Sequence, residues 1–489
     1  MMSMASETIQ ANETTEFDDT TDLVVIGLGA AGASAAIEAS AAGADVIVLE
    51  RASAGGGSSA LCGGYIYLGG GTRVQKANGF DDTVEDMFNY LVAMTPNPDI
   101  EKIRLYCDRS LEHFGWLERQ GIVFNNGFYP DKCVEHSTED GLAWTGNEKV
   151  WPFRDEAHPF PRGHKVTVPG GQQELGMGGR KMMNLLIQRV EESGARIVVD
   201  ANVKNLVVDG SGAVIGVKYK TFEGDRLVRA RKGVLVSTGG FAMNPEMSKE
   251  LSPLLADERV RIVGSTYSDG SGIELGLSAG GVLQDIGYLL TSPFYPPGQL
   301  LKGVLVNKSG KRFVAEDSYH GRTSGAILLQ PEQTAFLILD NATFDRPQMG
   351  GQELIDAWDN IPDLERDIGL PEGSLQKTIA DYNAHAAADH EDPEFHKYHD
   401  WVQPLVEPPF AAFNCSLGHA YYSGFSLGGL QTNARAQVLD KNGNVIPGLY
   451  AAGACATNIA KDGMGYSSGT CVGESTFFGR QAGINAALG

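Results

Sequence analysis

Apolar residues along this chain come in short unbroken runs set off by glycine-rich turns, and each run marks the start of an element. "DLVVIGLGAAGASAAIEASAAGADVIVLER" opens with an apolar strand, Leu23 to Ile26, passes Gly27, Gly29 and Gly32, and continues as an alanine-rich helix. A second apolar strand, Val46 to Leu49, ends at Glu50. Further on, "GRKMMNLLIQRVEESGARIVVDANVKNLVVDGSGAVIGVKYK" predicts a helix, a strand at Ile197 to Val199 and a β-ribbon turning at "DGSG". "GVLVSTGGF" is a buried strand running into Thr238, Gly239 and Gly240, and "NVIPGLYAAGACATN" another running into Gly453. Continuous apolar strands interleaved with helices are what a parallel sheet covered on both faces requires, so the fold class is α/β.

The order strand, glycine loop, helix, strand, terminal acid has a chemical reading. Its glycines permit a tight turn, close approach of a pyrophosphate and packing of helix on strand. The helix N-terminus supplies positive dipole, and Glu50 reaches a ribose hydroxyl. Directly after Glu50, "ASAGGGSSALCGGY" offers Gly56, Gly57, Ser58 and Ser59 as backbone and hydroxyl donors for more of the same ligand. FAD and NAD both remain open at this point, but no second strand-GxGxxG-helix unit occurs, so a separate NAD(P) domain is not expected.

Composition narrows the partners. At 489 residues the chain is long enough for two domains, or for one large domain carrying an insertion. With 39 basic against 61 acidic residues, the formal charge of −22 disfavours nucleic acid and anionic membrane surfaces. No apolar run approaches the roughly 18 residues a membrane span needs. The first twenty residues read as a flexible acidic tail without signal-peptide character, on a cytoplasmic protein. Six cysteines without CxxC spacing, and ten histidines without ligand spacing, give neither a metal site nor a redox dithiol. "DEAHPFPRGHK" reads as surface.

Together these blocks resemble the FAD domain of the fumarate reductase and succinate dehydrogenase flavoprotein superfamily. The resemblance also rests on "DGSGIELGLSAGG", "GKRFVAE", "SLGGLQTN", "GLYAAG" and "FFGRQAG", and covers nearly the whole chain beyond residue 20. It implies a Rossmann-like FAD-binding domain, a parallel sheet with a β-ribbon, from residues 21–281 and 425–489. An α+β cap or catalytic domain, residues 282–424, is inserted between its halves, and "LPEGSLQKTIADYNAHAAADH" would be a cap helix. The implied cofactor contacts are Gly27, Gly29, Ala30, Ala31, Gly32, Glu50, Arg51, Gly56, Gly57, Ser58, Ser59, Gly63, Gly64, Val203, Thr238, Gly239, Gly240, Asp269, Gly453, Ser468 and Thr470. "GGGSSALCGG" lacks the histidine of the covalent members, so the FAD is expected to be non-covalent.

The same resemblance bears on the substrate. Members acting on fumarate or succinate look as if they use an arginine just after GxRFxxE and a histidine in H-T-x-G-G; here Tyr319 stands near the first place, with Arg322 displaced, and Phe425 occupies the second. What remains resembles the 3-ketosteroid dehydrogenases, whose late tyrosine and nearby glycine N–H polarise the steroid 3-carbonyl. Carried over, these are Tyr466 and Gly469 in "GYSSGT", with Tyr319 on the cap side. Serines in place of a proline-glycine run point towards the Δ4-(5α) rather than the Δ1 branch. α,β-Desaturation of a ketone removes an α-proton and a β-hydride, and the enolate-like oxygen needs preorganised donors of the tyrosine and backbone N–H kind.

An unperturbed phenol has a pKa of about 10, so Tyr319 as base needs a lowered pKa or a relay, for which Ser468 is the candidate and His320 a weaker one. A phenol base carries an expected preference for mildly alkaline conditions. "DIGYLLTSPFYPPGQLL" is expected to line an apolar pocket for the 3-ketosteroid, with an external electron acceptor. Three alternatives stay open: a 3-ketosteroid Δ1-dehydrogenase, a fumarate-reductase-like soluble reductase, and a non-catalytic FAD-fold carrier.

Overall fold

Strands Asp19–Ile26, Val46–Leu49 and Arg196–Val198 lie side by side in a computed structural model that describes residues 7–168 and 176–489. They run parallel, with Leu23 opposite Val46 and Ile47 opposite Arg196. On the other side of Asp19–Ile26 is Gly224–Val236, thirteen residues long. Its first half pairs antiparallel with Val214–Thr221, forming a ribbon that turns at "DGSG" and continues to Asn202–Val208. Past a register break between Ala230 and Gly233, its last three residues pair parallel with Leu449, Tyr450 and Ala451. One long strand therefore serves both ribbon and parallel sheet, and the carboxyl ends Leu49, Ile26, Val236 and Ala451 line up along one edge. Open α/β sheets bind ligands outside that edge.

Helices Ala30–Ala41 and Thr470–Leu488 cover one face of this sheet. They meet backbone to backbone: a Cβ at Gly479 or Gly483 would fall 2.3 Å from the carbonyl oxygen of Ala31 or Ala35. That close approach is what the small residues of both helices provide.

Between residues 282 and 424 the chain builds a four-stranded antiparallel sheet, ordered Val304–Asn307, Ala335–Leu339, Phe410–Asn414, Glu353–Trp358. Helices Ile361–Asp367 and Ser374–Ala388 accompany it, the second where the apolar spacing predicts a helix. A buried ion-pair cluster ties this region together: Arg312 donates to both Glu316 and Asp392 at 2.7–3.0 Å, and Lys397 stands 3.0 Å from Glu316. Strand Leu283–Thr291, just inside the expected insert, pairs with Tyr422–Leu430. The two crossings between the halves thus zip together instead of ending in separate linkers.

Two expectations are corrected. Residues 7–20 are not a free tail: Ile9 and Gln10 pair with Val207 and Val208, Phe17 lies under Arg229, and Asp19 already opens the first long strand. Isolated apolar residues in a polar stretch suffice to dock it on the ribbon. The second half of "DEAHPFPRGHK" is interior, because Gly163–Lys165 is a strand of a small sheet with Tyr65–Tyr67 and Leu142–Ala143. Arg162, at 0 % exposure, is neutralised there by Asp82, to which its Nη2 donates at 2.7 Å.

Candidate active site

The glycine loop sits at the carboxyl edge of the parallel strands and is shaped like a cradle. Gly27 has φ +97°, and a Cβ there would lie 2.7 Å from Ser237 O; a Cβ on Gly32 would lie 2.0 Å from Gly27 O. Gly29 differs: it caps helix Ala30–Ala41 without a side-chain hydrogen bond, and its Cβ would meet nothing within 4 Å. The two outer glycines are forced by the fold, whereas the middle one faces a space where the helix N–H groups point. That is the arrangement a pyrophosphate requires.

Glu50 brackets the loop by accepting from Leu28 N–H at 2.7 Å and Ala52 N–H at 2.8 Å. Gly56 N–H donates to Leu28 O at 2.8 Å, and Ser59 Oγ accepts from Ala30 N–H at 3.4 Å, which brings the Gly56–Ser59 turn beside the loop. Ser58 Oγ accepts from Ser265 N–H at 2.9 Å. Arg51 stacks on Tyr267 and pairs with Asp269 at 2.5 Å. On the next strand, Thr238 Oγ1 is buried without a partner among the described residues. Gly239 and Gly240 abut Ser268 and Ser426, and Gly453, at φ +80°, closes over Ala31. An open cradle, an orphaned hydroxyl and converging backbone donors fit an FAD.

The other expected contacts have these neighbours within the protein. Gly63 and Gly64 are packed against Glu135 and Gly178, Val203 belongs to the ribbon strand Asn202–Val208, and Thr470 Oγ1 donates to Ser467 O at 2.8 Å.

Tyr319 and Tyr466 meet in one buried apolar cluster with Leu289, Leu427 and Ala460, against which Phe425 and Cys471 pack. Tyr319 is the N-cap of helix His320–Leu328, and Tyr466 belongs to the loop before helix Thr470–Leu488; their ring centroids are 6.1 Å apart. Ser468 Oγ stands 3.0 Å from the Tyr319 hydroxyl. Gly469, at φ +98°, donates no hydrogen bond from its N–H among the described residues, while its carbonyl accepts from Tyr67 N–H at 3.1 Å. Of "DIGYLLTSPFYPPGQLL", Leu289 reaches this cluster; Phe294, Tyr295, Leu300 and Leu301 belong to the core on the other side.

Burial pushes both tyrosine phenols well above their usual range, opposed at Tyr319 by the Ser468 hydrogen bond. The same burial drives His320 down to about 3, leaving it neutral, with Tyr295 Oη 3.5 Å from Nδ1. The Arg322 guanidinium lies over Phe153 at 4.8 Å. The residues bracketing the pair were not singled out by sequence: Tyr319 N–H donates to Asn147 Oδ1, and Ser468 N–H to Thr145 O, each at 2.8 Å. "TGN" in a loop carries no periodicity that would have marked them. Among the described residues no cluster of metal ligands occurs, and no helix is long and apolar enough to cross a membrane.

The family model described as FAD binding domain matches residues 22–472. The solved structure of a 3-ketosteroid-Δ4-(5α)-dehydrogenase from Rhodococcus jostii RHA1, in complex with 4-androstene-3,17-dione, is 39% identical and covers 98% of this chain and 99% of its own, with a TM-score of 0.91. A 3-oxo-5-alpha-steroid 4-dehydrogenase from Comamonas testosteroni is 30% identical, the match covering 90% of this chain and 93% of that protein. A probable fumarate reductase, Ifc3, from Shewanella frigidimarina is 28% identical, over 96% of this chain and 75% of its own length.

Proposed function

The chain belongs to the FAD binding domain family, and from that premise we propose that it is a flavin-dependent 3-ketosteroid Δ4-(5α)-dehydrogenase. One observation carries the reading: Tyr319, Tyr466 and Ser468 converge on an apolar wall, where Phe425 packs beside Tyr466. A steroid ketone needs hydroxyl and backbone donors at one end and apolar surface along the rest. The Rhodococcus and Comamonas relatives, named for chemistry on such substrates, support the same substrate class.

In this reading the Tyr466 hydroxyl and the Gly469 N–H hold the 3-carbonyl oxygen and stabilise the negative charge that grows there, each donor contributing on the order of 3 kcal/mol. The Tyr319–Ser468 pair takes the C4 proton after losing one proton to solvent: the Ser468 hydroxyl, 3.0 Å away, steadies the Tyr319 phenolate, and that oxygen accepts the proton from C4. Leu289, Leu427 and Phe425 exclude water around them. The cradle of Gly27, Gly29, Gly32, Glu50 and Thr238 would hold FAD, which when bound accepts the hydride leaving C5. An external electron acceptor fits the lack of a second nucleotide-binding unit, and a cytoplasmic setting fits six free cysteines.

Anaerobic mixing of the purified flavoprotein with a 5α-reduced 3-ketosteroid tests the proposal. Flavin bleaching with a 4-ene product is expected. A 1-ene product moves the chain to the Δ1 class, and no bleaching overturns the steroid assignment.

A further inference from the structure

We infer that Asn147, with the Thr145 carbonyl two residues before it, is the positioning residue that holds Tyr319 against Ser468; the inference rests on the steroid reading above. The two hydroxyls are contributed by elements 149 positions apart in sequence, so their contact needs a common support. The stretch Thr145-Gly146-Asn147 touches both. Thr145 O accepts from Ser468 N–H at 2.8 Å, and Asn147 Oδ1 accepts from Tyr319 N–H at the same distance. Asn147 N–H in turn donates to Tyr90 Oη at 2.8 Å, and that hydroxyl lies 2.9 Å from Ser467 Oγ, beside Ser468.

The bracket is rigid. Asn147 is fully buried and Tyr90 1 % exposed. A Cβ on Gly146 would lie 2.1 Å from Ser467 Oγ and 2.6 Å from Tyr90 Oη, so the stretch is pressed against the serine loop with no slack. Asn147 Nδ2 has no partner among the described residues. An orphaned buried amide is costly where an aliphatic side chain would fill the same space, so packing alone does not account for an asparagine. Its oxygen accounts for it: it fixes the backbone of Tyr319 at the start of its helix, and with that the phenol.

Displacing a catalytic group by about 1 Å costs on the order of a hundredfold in rate. In the holoenzyme, Asn147→Leu is therefore expected to lower kcat by about that factor with KM for the 5α-3-ketosteroid within about threefold of the parent. Asn147→Asp keeps the acceptor and is expected to recover at least about tenfold of the loss. In a Tyr319→Phe background, Asn147→Leu should cost less than about twofold more, because its effect passes through the phenol. Tyr90→Phe attacks the bracket from its other end and should reproduce the phenotype, which keeps the test open if Asn147→Leu does not fold.

Parent-like kcat in Asn147→Leu or Tyr90→Phe overturns the inference, as does a loss undiminished in the Tyr319→Phe background. A crystal structure of the Asn147→Leu protein reads the bracket without any steroid: Tyr319 Oη moving beyond hydrogen-bond range of Ser468 Oγ supports it, and a retained 3.0 Å contact overturns it. Failure of the steroid reading itself would appear separately, as absence of bleaching in the unmodified protein.

Discussion

The hydroxyls of Tyr319 and Ser468 are 3.0 Å apart, between the start of helix His320–Leu328 and the loop that precedes helix Thr470–Leu488. Neither group is a base on its own at neutral pH: the phenol is pushed up by burial, and an aliphatic hydroxyl ionises with more difficulty still. Once the pair has lost one proton to solvent, the remaining one lies between the two oxygens and steadies the phenolate, so they should behave as one unit. Ser468→Ala and Tyr319→Phe are each expected to lower the rate of anaerobic flavin reduction by roughly 10²–10⁴, the range of a general base. The double variant should fall little further, since groups acting as a unit are strongly non-additive. Stopped-flow reduction of all four proteins checks this, and additive losses would separate the two residues.

The pH dependence of the same reaction distinguishes this pair from the histidine beside it. His320 is held neutral, its ring driven down to about 3 by burial, so it cannot give a limb near 6.5. The rate, measured as kcat/KM, is expected to climb from neutral into the alkaline range, as a hydroxyl base requires. A limb between pH 6 and 7 that vanishes in His320→Asn would transfer the role to the histidine.

Much of this was legible in the residues. Gly27, Gly29, Gly32 and Glu50 announce the nucleotide loop because strand, turn, helix and acid must follow in that order for the backbone to reach a pyrophosphate. The order survives in any context, and the structure places Val46–Leu49 as a strand with the bounds read from sequence. What stayed hidden depends on tertiary contacts. "DEAHPFPRGHK" looks like surface because its charges outnumber its apolar residues; only the arrival of Asp82, eighty positions away, makes Arg162 an interior group. Asn147 is hidden for the same reason: its two partners come from residues that no local pattern brings near it.

Acid should destabilise the fold, and the buried histidines give the sign. His164 and His136 are pushed down to about 4 and His320 to about 3, in each case chiefly by burial. Their folded pKa values lie below the unfolded value of about 6.5, so between those limits the unfolded chain binds more protons and stability falls with pH. At pH 5, His164 and His320 would each remove roughly 2 kcal/mol relative to pH 7.5. Glu474, raised by burial to about 7, works in the opposite direction: its contribution is full below about 4.5 and is lost as pH rises through 7. Burial raises Glu148 and Asp317 as well, in the same sense as Glu474; with four histidines lowered, His113, His136, His164 and His320, the thermal midpoint is expected to drop from pH 7 to pH 5, and His164→Asn or His320→Asn should flatten that slope. An equal slope in those variants would assign the acid sensitivity to other groups.

The glycine loop offers a sharper test, because its members fail for different reasons. At Gly32 an added methyl would strike Gly27 O at 2.0 Å, backbone against backbone, with no flexible atom to give way. Gly32→Ala is therefore expected to disturb the helix-on-strand packing itself, lowering stability whether or not cofactor is bound. Gly29 has φ −90°, an ordinary conformation for alanine, and its added methyl would meet nothing of the protein within 4 Å. Any harm from Gly29→Ala must then come from what enters that space. The expected outcome is a Gly29→Ala protein that folds with a parent-like apo melting temperature yet purifies with much less flavin absorbance near 450 nm, together with a Gly32→Ala protein that is unstable in both states. Full FAD occupancy in Gly29→Ala would mean that the pyrophosphate does not approach this residue, and the cradle would have to be redrawn around Gly56–Ser59 and Thr238.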